Sequence, residues 1–516
     1  MKLLRVGFSF VLSCLLLPHI GAAAGPTKIT VAVERGRDLG QSFGSLFEAT
    51  SDDGSLVVGA GFQNAYNTRY RADRHAVQFF VRPVRGDREM TVDELPRPNF
   101  ELTGSYLFGR DGSVHSAYGG LKTWAPKTRK WVAAGAAHET MRIGNDTLTF
   151  VGSRVTLNDR TVLPAPKEGS YQLFFYAHGH LCFYHVTRRG KPYRLYVNDE
   201  DGYSKLYACP WTPDQPRVDL SKAVVLNLQV VGETTFAWGQ LGRQIVTGSN
   251  IGGFYVFENG NWRTVRKPTL GRSFQLYSSV SLGDRLMMGQ YPTGRLFEYD
   301  GTKMTEQSGF PPVLPGVSRS AREAQTTMIY GGDLFVGVWP WAEVWRYNPD
   351  SRSWKFMRRM FDHPALSDKI THPYEVENKD NPVVNLWGQR VTSLIPSGPD
   401  LFISTSSKGV DKWLPKSFPF LAPEKWKSYG KIYRATMTGH LAAATKWTDG
   451  PTKIEFLIDG PKIVIQQDGK TIATSTLTGP LAKQLGAVKE FKNARWGAGI
   501  YGPFGGTSLK GHIDNN

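Results

Sequence analysis

One short pattern returns along most of this 516-residue chain and limits what it can fold into. A turn is followed by an apolar strand that closes on a small residue. Seven copies align. Asp53-Gly54-Ser55-Leu56-Val57-Val58-Gly59 comes first, and Asp111-Gly112-Ser113-Val114-His115-Ser116-Ala117 second. The others run from Gly179 to Tyr184, Gly242 to Gly248, Gly283 to Gly289, Gly332 to Gly337 and Pro399 to Ser404. The closing residue is Gly, Ala or Ser in every copy except the third, which ends on Tyr184. A small residue at a fixed place in a strand lets another backbone approach closely.

Each copy has a similar strand before its turn and an aromatic-rich strand after it, as in Arg295-Leu296-Phe297-Glu298-Tyr299 or Glu343-Val344-Trp345-Arg346-Tyr347. Often a further strand follows, such as Trp262-Arg263-Thr264-Val265. Four strands recurring at roughly 55 residues per unit describe the blades of a β-propeller. The expected fold is therefore all-β: a propeller of seven four-stranded blades over residues 25–446, with a small β-strand appendage over 447–516. An eighth hairpin at Thr147-Leu148-Thr149-Phe150-Val151-Gly152 lies too near its neighbours for a full blade. It is read as the outer part of the second blade. In the appendage, Asp-Gly turns at 459–460 and 468–469 separate strand patterns. Its last strand, 508–514, resembles the closing strand of laminin-G-like sandwiches.

Residues 1–24 read as an export signal. Lys2 and Arg5 precede an apolar run, Val6 to Leu17, and Ala22-Ala23-Ala24 supplies a small-residue cleavage site. The run is short of the ~20 residues a membrane span needs. Cys14 lies inside it, where a lipoprotein cysteine would follow it. A secreted or periplasmic monomer is expected, with Cys182 and Cys209 available for a disulfide in an oxidising compartment. The formal net charge is +17, only Lys2 and Arg5 of it from the leader, so the mature chain should attract polyanions.

In a propeller, loops entering the inner strand share a face with loops joining the second and third strands, and ligand sites favour such loops. On this chain those loops are basic and aromatic. They carry Arg69, Tyr291, Trp339, Trp341, Lys408 and Trp413, with Arg272, Arg322, Glu323 and the polar run from Asp362 through His372 to Glu377. Arg390 opens the last inner strand. Cations pair with carboxylate or sulfate, and aromatic faces stack on sugar rings. The expected partner is an anionic polysaccharide rather than nucleic acid. Arg69, Arg322, Lys408, Trp339 and Trp413 are the candidate binding residues.

Elimination beside a uronic acid needs a neutralised carboxylate, a base and an acid. His372 is the candidate base, with His363 and His75 behind it. Arg390 or Arg322 would hold the carboxylate, and Tyr291 would protonate the leaving oxygen. A glycan- or protein-binding propeller without catalysis is the alternative. Glycoside hydrolysis is a second one, and it would need a carboxylate pair drawn from Asp362, Asp368, Glu323 and Glu375. No Cys-x-x-Cys pair or glycine-rich phosphate loop occurs, so neither a metal nor a cofactor is expected.

The aromatic third strand resembles secreted bacterial propellers of the kelch-like and BNR-like style. In architecture, export and basic face the chain is similar to the seven-bladed polysaccharide lyases, ulvan lyases among them. That resemblance covers the propeller body and implies a lyase using His, Tyr and Arg.

Overall fold

The computed structural model describes residues 26–67, 72–136, 138–188, 194–196, 202–307, 309, 311–379, 385–409, 412 and 414–515. Among these residues the chain is all-β, with three short α-helices and one 3-10 turn, Leu220–Lys222. None is long and apolar enough to cross a membrane.

Seven antiparallel meanders follow one another between residues 106 and 437. They span 106–135, 139–163, 170–228, 235–266, 275–307, 323–359 and 390–437, and are called the first to seventh sheets below. Strands lie in chain order across each sheet, except that the fifth gains Ala65–Asn67 beside its first strand and the seventh takes its fourth strand from elsewhere in the chain. First strands stand side by side. Gln275–Leu282 lies against Thr235–Leu241 and Glu323–Tyr330, and Arg390–Ser397 lies against Glu323–Tyr330 and Tyr106–Arg110. Apolar side chains of the second and third sheets share one core, including Phe150 stacked on Phe174 at 5.3 Å. The first and second sheets are joined by Arg142 and Asp111 at 2.8 Å. Such sheets fit propeller blades.

The small-residue column explains this close packing. A Cβ on Gly248 would lie 2.4 Å from Leu276 of the next sheet, and one on Gly337 would lie 2.7 Å from Val391 of the next. On Gly289 it would lie 2.0 Å from the Ala324 carbonyl oxygen. All three glycines sit in second strands and face the first strand of the following sheet.

The seventh sheet takes its fourth strand from upstream. Met90–Leu95 pairs with Ile432–Met437, from Leu95 opposite Ile432 to Met90 opposite Met437. The first sheet begins soon after that strand, at Tyr106.

The sheets depart from the repeat pattern in two places. The hairpin around Thr147–Gly152 is not an outer part of a neighbouring blade. It is the centre of the second sheet, which needs only 139–163 because its turns are tight. The first copy, Asp53–Gly59, lies outside the series. Its strand Leu56–Phe62 belongs to a sheet with Gly44–Ser51, Ala76–Pro83, His440–Ala444 and Phe491–Trp496. A ninth sheet joins Thr27–Glu34 to Thr452–Asp459, Lys462–Gln467, Lys470–Thr476 and Ser508–Asn515. The tail therefore does not stand alone: Thr27–Glu34 pairs on one side with Thr452–Asp459 and on the other with Ser508–Asn515. These two sheets bury a common core in which Phe456 meets Phe47 at 5.3 Å and Phe79 at 5.0 Å.

This pair of sheets caps one side of the series. It bonds to the turns between first and second strands: Gly179 N–H donates to the Leu39 carbonyl at 2.8 Å, Gly144 N–H to Asp38 at 2.8 Å and Gly283 N–H to the Ile500 carbonyl at 3.0 Å. From the cap, Ala65–Asn67 runs inward and pairs with the first strand of the fifth sheet, and Asn67 donates to the Thr392 carbonyl at 2.9 Å. Cys182 and Cys209 are buried free thiols, not a disulfide. The opposite side, with the loops entering first strands and leaving second strands, is left open by the cap.

Candidate functional site

Strand alternation and register build the site on that open side. In the fifth, sixth and seventh sheets the first strand begins opposite the end of the second: Gln275 faces Tyr291, Glu323 faces Trp339, and Arg390 faces Ser406, two residues before Lys408. Three equivalent positions thus put Gln275 with Tyr291, Glu323 with Trp339, and Arg390 near Lys408 around one hollow. Asn250 and Ile251 of the fourth sheet, with Arg272, Ser273 and Tyr277 of the fifth, complete a cavity of 340 Å³. Its size falls in the range of small-ligand sites.

The polar groups in its wall are tightly held. Glu323 is 2 % exposed, and its Oε2 lies 3.6 Å from Arg390 Nη2. Arg390 also donates through Nη1 to the Lys408 carbonyl at 3.2 Å. Lys408 Nζ lies 5.7 Å from the centre of the Trp339 ring, and the Tyr291 ring is 6.1 Å from the same indole. Three buried atoms here, Glu323 Oε1, Trp339 Nε1 and Arg390 Nε, find no hydrogen-bond partner among the described residues. Buried polar atoms are nearly always paired, so Glu323 Oε1 and Arg390 Nε, on two lining residues, suit a bound polar group, whereas Trp339 Nε1 lies against Gly388 outside the lining.

Burial raises the Glu323 carboxyl above the usual carboxylate range, although Arg390 and Lys408 pull it down. Burial disfavours the charge on Arg390, yet Glu323, Tyr106 and Tyr277 more than offset it, and the guanidinium holds its proton more firmly than usual. Burial and the nearby Glu323 raise both the Tyr277 and the Tyr291 phenols.

Of the residues singled out in the sequence, Arg272, Tyr291, Glu323, Trp339, Arg390 and Lys408 meet in this cavity. Arg69 and Trp413 lie outside the described residues. Two others are elsewhere. His372 is fully buried behind Trp339, its ring 4.7 Å from the indole, and both its backbone N–H and its Nδ1 face Glu375, at 3.0 and 3.3 Å. Arg322 is sealed in an ion pair with Glu343 at 3.1 Å and bonds the Pro312 carbonyl. Its backbone N–H donates to Pro292, so it braces the loop after Tyr291 and does not line the cavity.

The reserve histidines also lie away. His363 bonds Tyr374 at 2.7 Å and Ser428 at 2.5 Å. His75 sits against Asp38 at 2.8 Å on the capped side. Sequence reasoning passed over Tyr277. Its signal was available, since alternation from Gln275 puts Tyr277 on the same face of the strand.

A larger groove of 640 Å³ runs between the first and seventh sheets and Lys470–Thr476. Its Arg434 is already paired with Asp93 at 2.7 Å, and the groove gathers no comparable set of cations and aromatic rings.

No family model matches this chain, and no curated protein does. Solved structures resemble it in part. RRP9 WD40 repeats match at a TM-score of 0.36 and 10 % identity, covering 67 % of this chain and 97 % of that one. YCF48 bound to D1 peptide matches at 0.34 and 11 %, covering 68 % and 96 %. The WD40 β-propeller domain of Doa1 matches at 0.31 and 11 %, covering 68 % and 94 %. At such TM-scores these likenesses say nothing about what this chain binds.

Proposed function

We propose that this chain is an exported seven-bladed propeller that binds an anionic polysaccharide in the open-side cavity and cleaves it by β-elimination. The blade count rests on the seven successive meanders and on Met90–Leu95 completing the last of them. The binding reading rests on one observation: Arg390, Lys408 and Arg272 converge with Tyr291 and Trp339 on a cavity where Glu323 Oε1 and Arg390 Nε lack partners among the described residues. Cations held beside aromatic rings suit a sugar acid, whose carboxylate takes the charge-assisted bonds while its ring stacks.

Elimination is favoured over hydrolysis because Glu323 is the one carboxyl among the lining residues, and hydrolysis needs two. The reading of binding without catalysis draws on the sealed position of His372, which removes the base expected from the sequence.

The test titrates the purified chain with polygalacturonate, alginate, hyaluronan, chondroitin sulfate and ulvan, and with neutral dextran as control. Binding and ultraviolet absorbance of unsaturated product are followed together. Binding to at least one uronate polymer and not to dextran is expected, with unsaturated ends appearing. Binding without product selects the non-catalytic reading. Equal affinity for dextran removes both.

A further inference from the structure

With His372 out of reach, elimination lacks a base, and the cavity offers a different one. We propose that Glu323 takes the proton from the sugar acid and that Tyr291, on the adjacent sheet, returns one to the leaving oxygen. This rests on the uronate-binding reading above.

The geometry is specific. Glu323 is the first residue of its strand and lines the cavity at the seam with the seventh sheet. One oxygen faces Arg390 at 3.6 Å, while the other is buried with no hydrogen-bond partner among the described residues. A carboxylate with one oxygen beside a cation and one oxygen unpaired is oriented and still able to accept a proton. Arg390 and Lys408 from the seventh sheet, and Tyr277 and Tyr291 from the fifth, are the charged and titratable groups that face it. The cations suit the substrate carboxylate, and neutralising it acidifies the neighbouring C–H. Burial adds to the basicity of Glu323 and brings it toward the range where a general base works best.

The step balances without water or a redox partner. Glu323 takes the proton on the ring carbon that bears the carboxylate. The C–H electron pair becomes a C=C bond to the adjacent ring carbon, and the C–O bond from that carbon to the leaving sugar breaks. Tyr291 gives its phenol proton to the departing oxygen. The proton on Glu323 then passes to solvent as Tyr291 regains one, which restores both groups.

The full chain is tested as wild type, Glu323→Gln, Glu323→Asp and Tyr291→Phe with the uronate polymer that wild type binds, in heavy water. Binding, unsaturated product and deuterium on the carboxylate-bearing carbon of recovered polymer are read, with circular dichroism for folding. Glu323→Gln should bind within about threefold of wild type, lose product by about a hundredfold or more, and incorporate no deuterium. Tyr291→Phe should lose product while still exchanging deuterium, an outcome a merely structural role would not give. Glu323→Asp keeps the acid and serves if the Gln variant misfolds; it should exchange more slowly, with KM nearly kept. Turnover by Glu323→Gln within about tenfold of wild type overturns the assignment. Wild-type binding with neither product nor exchange overturns it while leaving the binding reading intact. Absence of wild-type binding overturns both.

Discussion

Arg390 reaches Glu323 across the seam between the sixth and seventh sheets, 3.6 Å from Nη2 to Oε2, with both side chains buried. Neither side chain is satisfied by the other alone, since Glu323 Oε1 and Arg390 Nε lack partners among the described residues. The pair joins packing to the site: it closes a contact between sheets and also forms the wall of the cavity.

Removing one member leaves the other charge buried. Arg390→Met is expected to cost about 3–5 kcal/mol of stability by chemical denaturation, more than Lys408→Met, because breaking a buried pair strands its partner. Equal, small losses for the two variants would mean that the pair is well solvated.

Lys408 and Arg272 are the more accessible cations of the cavity. Lys408→Ala should weaken uronate-polymer binding by about tenfold, in line with one lost charge-assisted hydrogen bond. It should also flatten the dependence of affinity on salt. Titrations at two ionic strengths read both effects. An unchanged salt dependence would place the polymer elsewhere.

The close approach of neighbouring sheets makes a third expectation. Gly289→Ala forces a methyl against the Ala324 carbonyl and should lower stability by about 1–3 kcal/mol or more. Gly486→Ala, in the helix Gly479–Ala487 with nothing near its Cβ, should raise it slightly, by about 0.5–1 kcal/mol. Thermal melts of the two variants check the contrast.

Acid should loosen the fold. Burial depresses His178 and His363 to about 4 and His440 to about 3. An unfolded histidine titrates near ~6.5, so below that pH the unfolded chain takes up protons that the folded chain refuses. Stability is therefore full above pH ~6.5 and falls as pH drops toward 4. Asp38 adds to the loss at lower pH. Although burial favours its neutral form, Arg74 and His75 hold it well below the usual carboxylate range, so its contribution disappears as it is protonated. Melting temperatures from pH 7 to 4 should decline, and less steeply in His440→Asn. A flat profile would contradict the burial of these rings.

Much of the fold was legible because the repeat carries its own physics. Turn, apolar strand and small closing residue dictate a meander, and the small residue is where the next sheet packs, as Gly248, Gly289 and Gly337 show. What the pattern cannot carry is which distant strands pair. Asp53–Gly59 looks like every other copy, yet its strand is flanked by Gly44–Ser51 and Ala76–Pro83 in the cap. The pairing of Thr27–Glu34 with the tail leaves no local trace either. At the site, loop position was enough to find Tyr291, Trp339, Arg390 and Lys408, since all four sit at strand ends or just beyond them. Side-chain direction was not readable. His372 turns behind Trp339, and Arg322 turns toward Glu343.

The most direct test of the account titrates one uronate oligosaccharide and one neutral oligosaccharide of equal length into wild type and Lys408→Glu, by calorimetry. Wild type should bind the uronate and not the neutral chain, and Lys408→Glu should abolish this binding while its melting temperature stays close to wild type. Uronate binding that survives Lys408→Glu unchanged, or equal binding of both oligosaccharides, would contradict it.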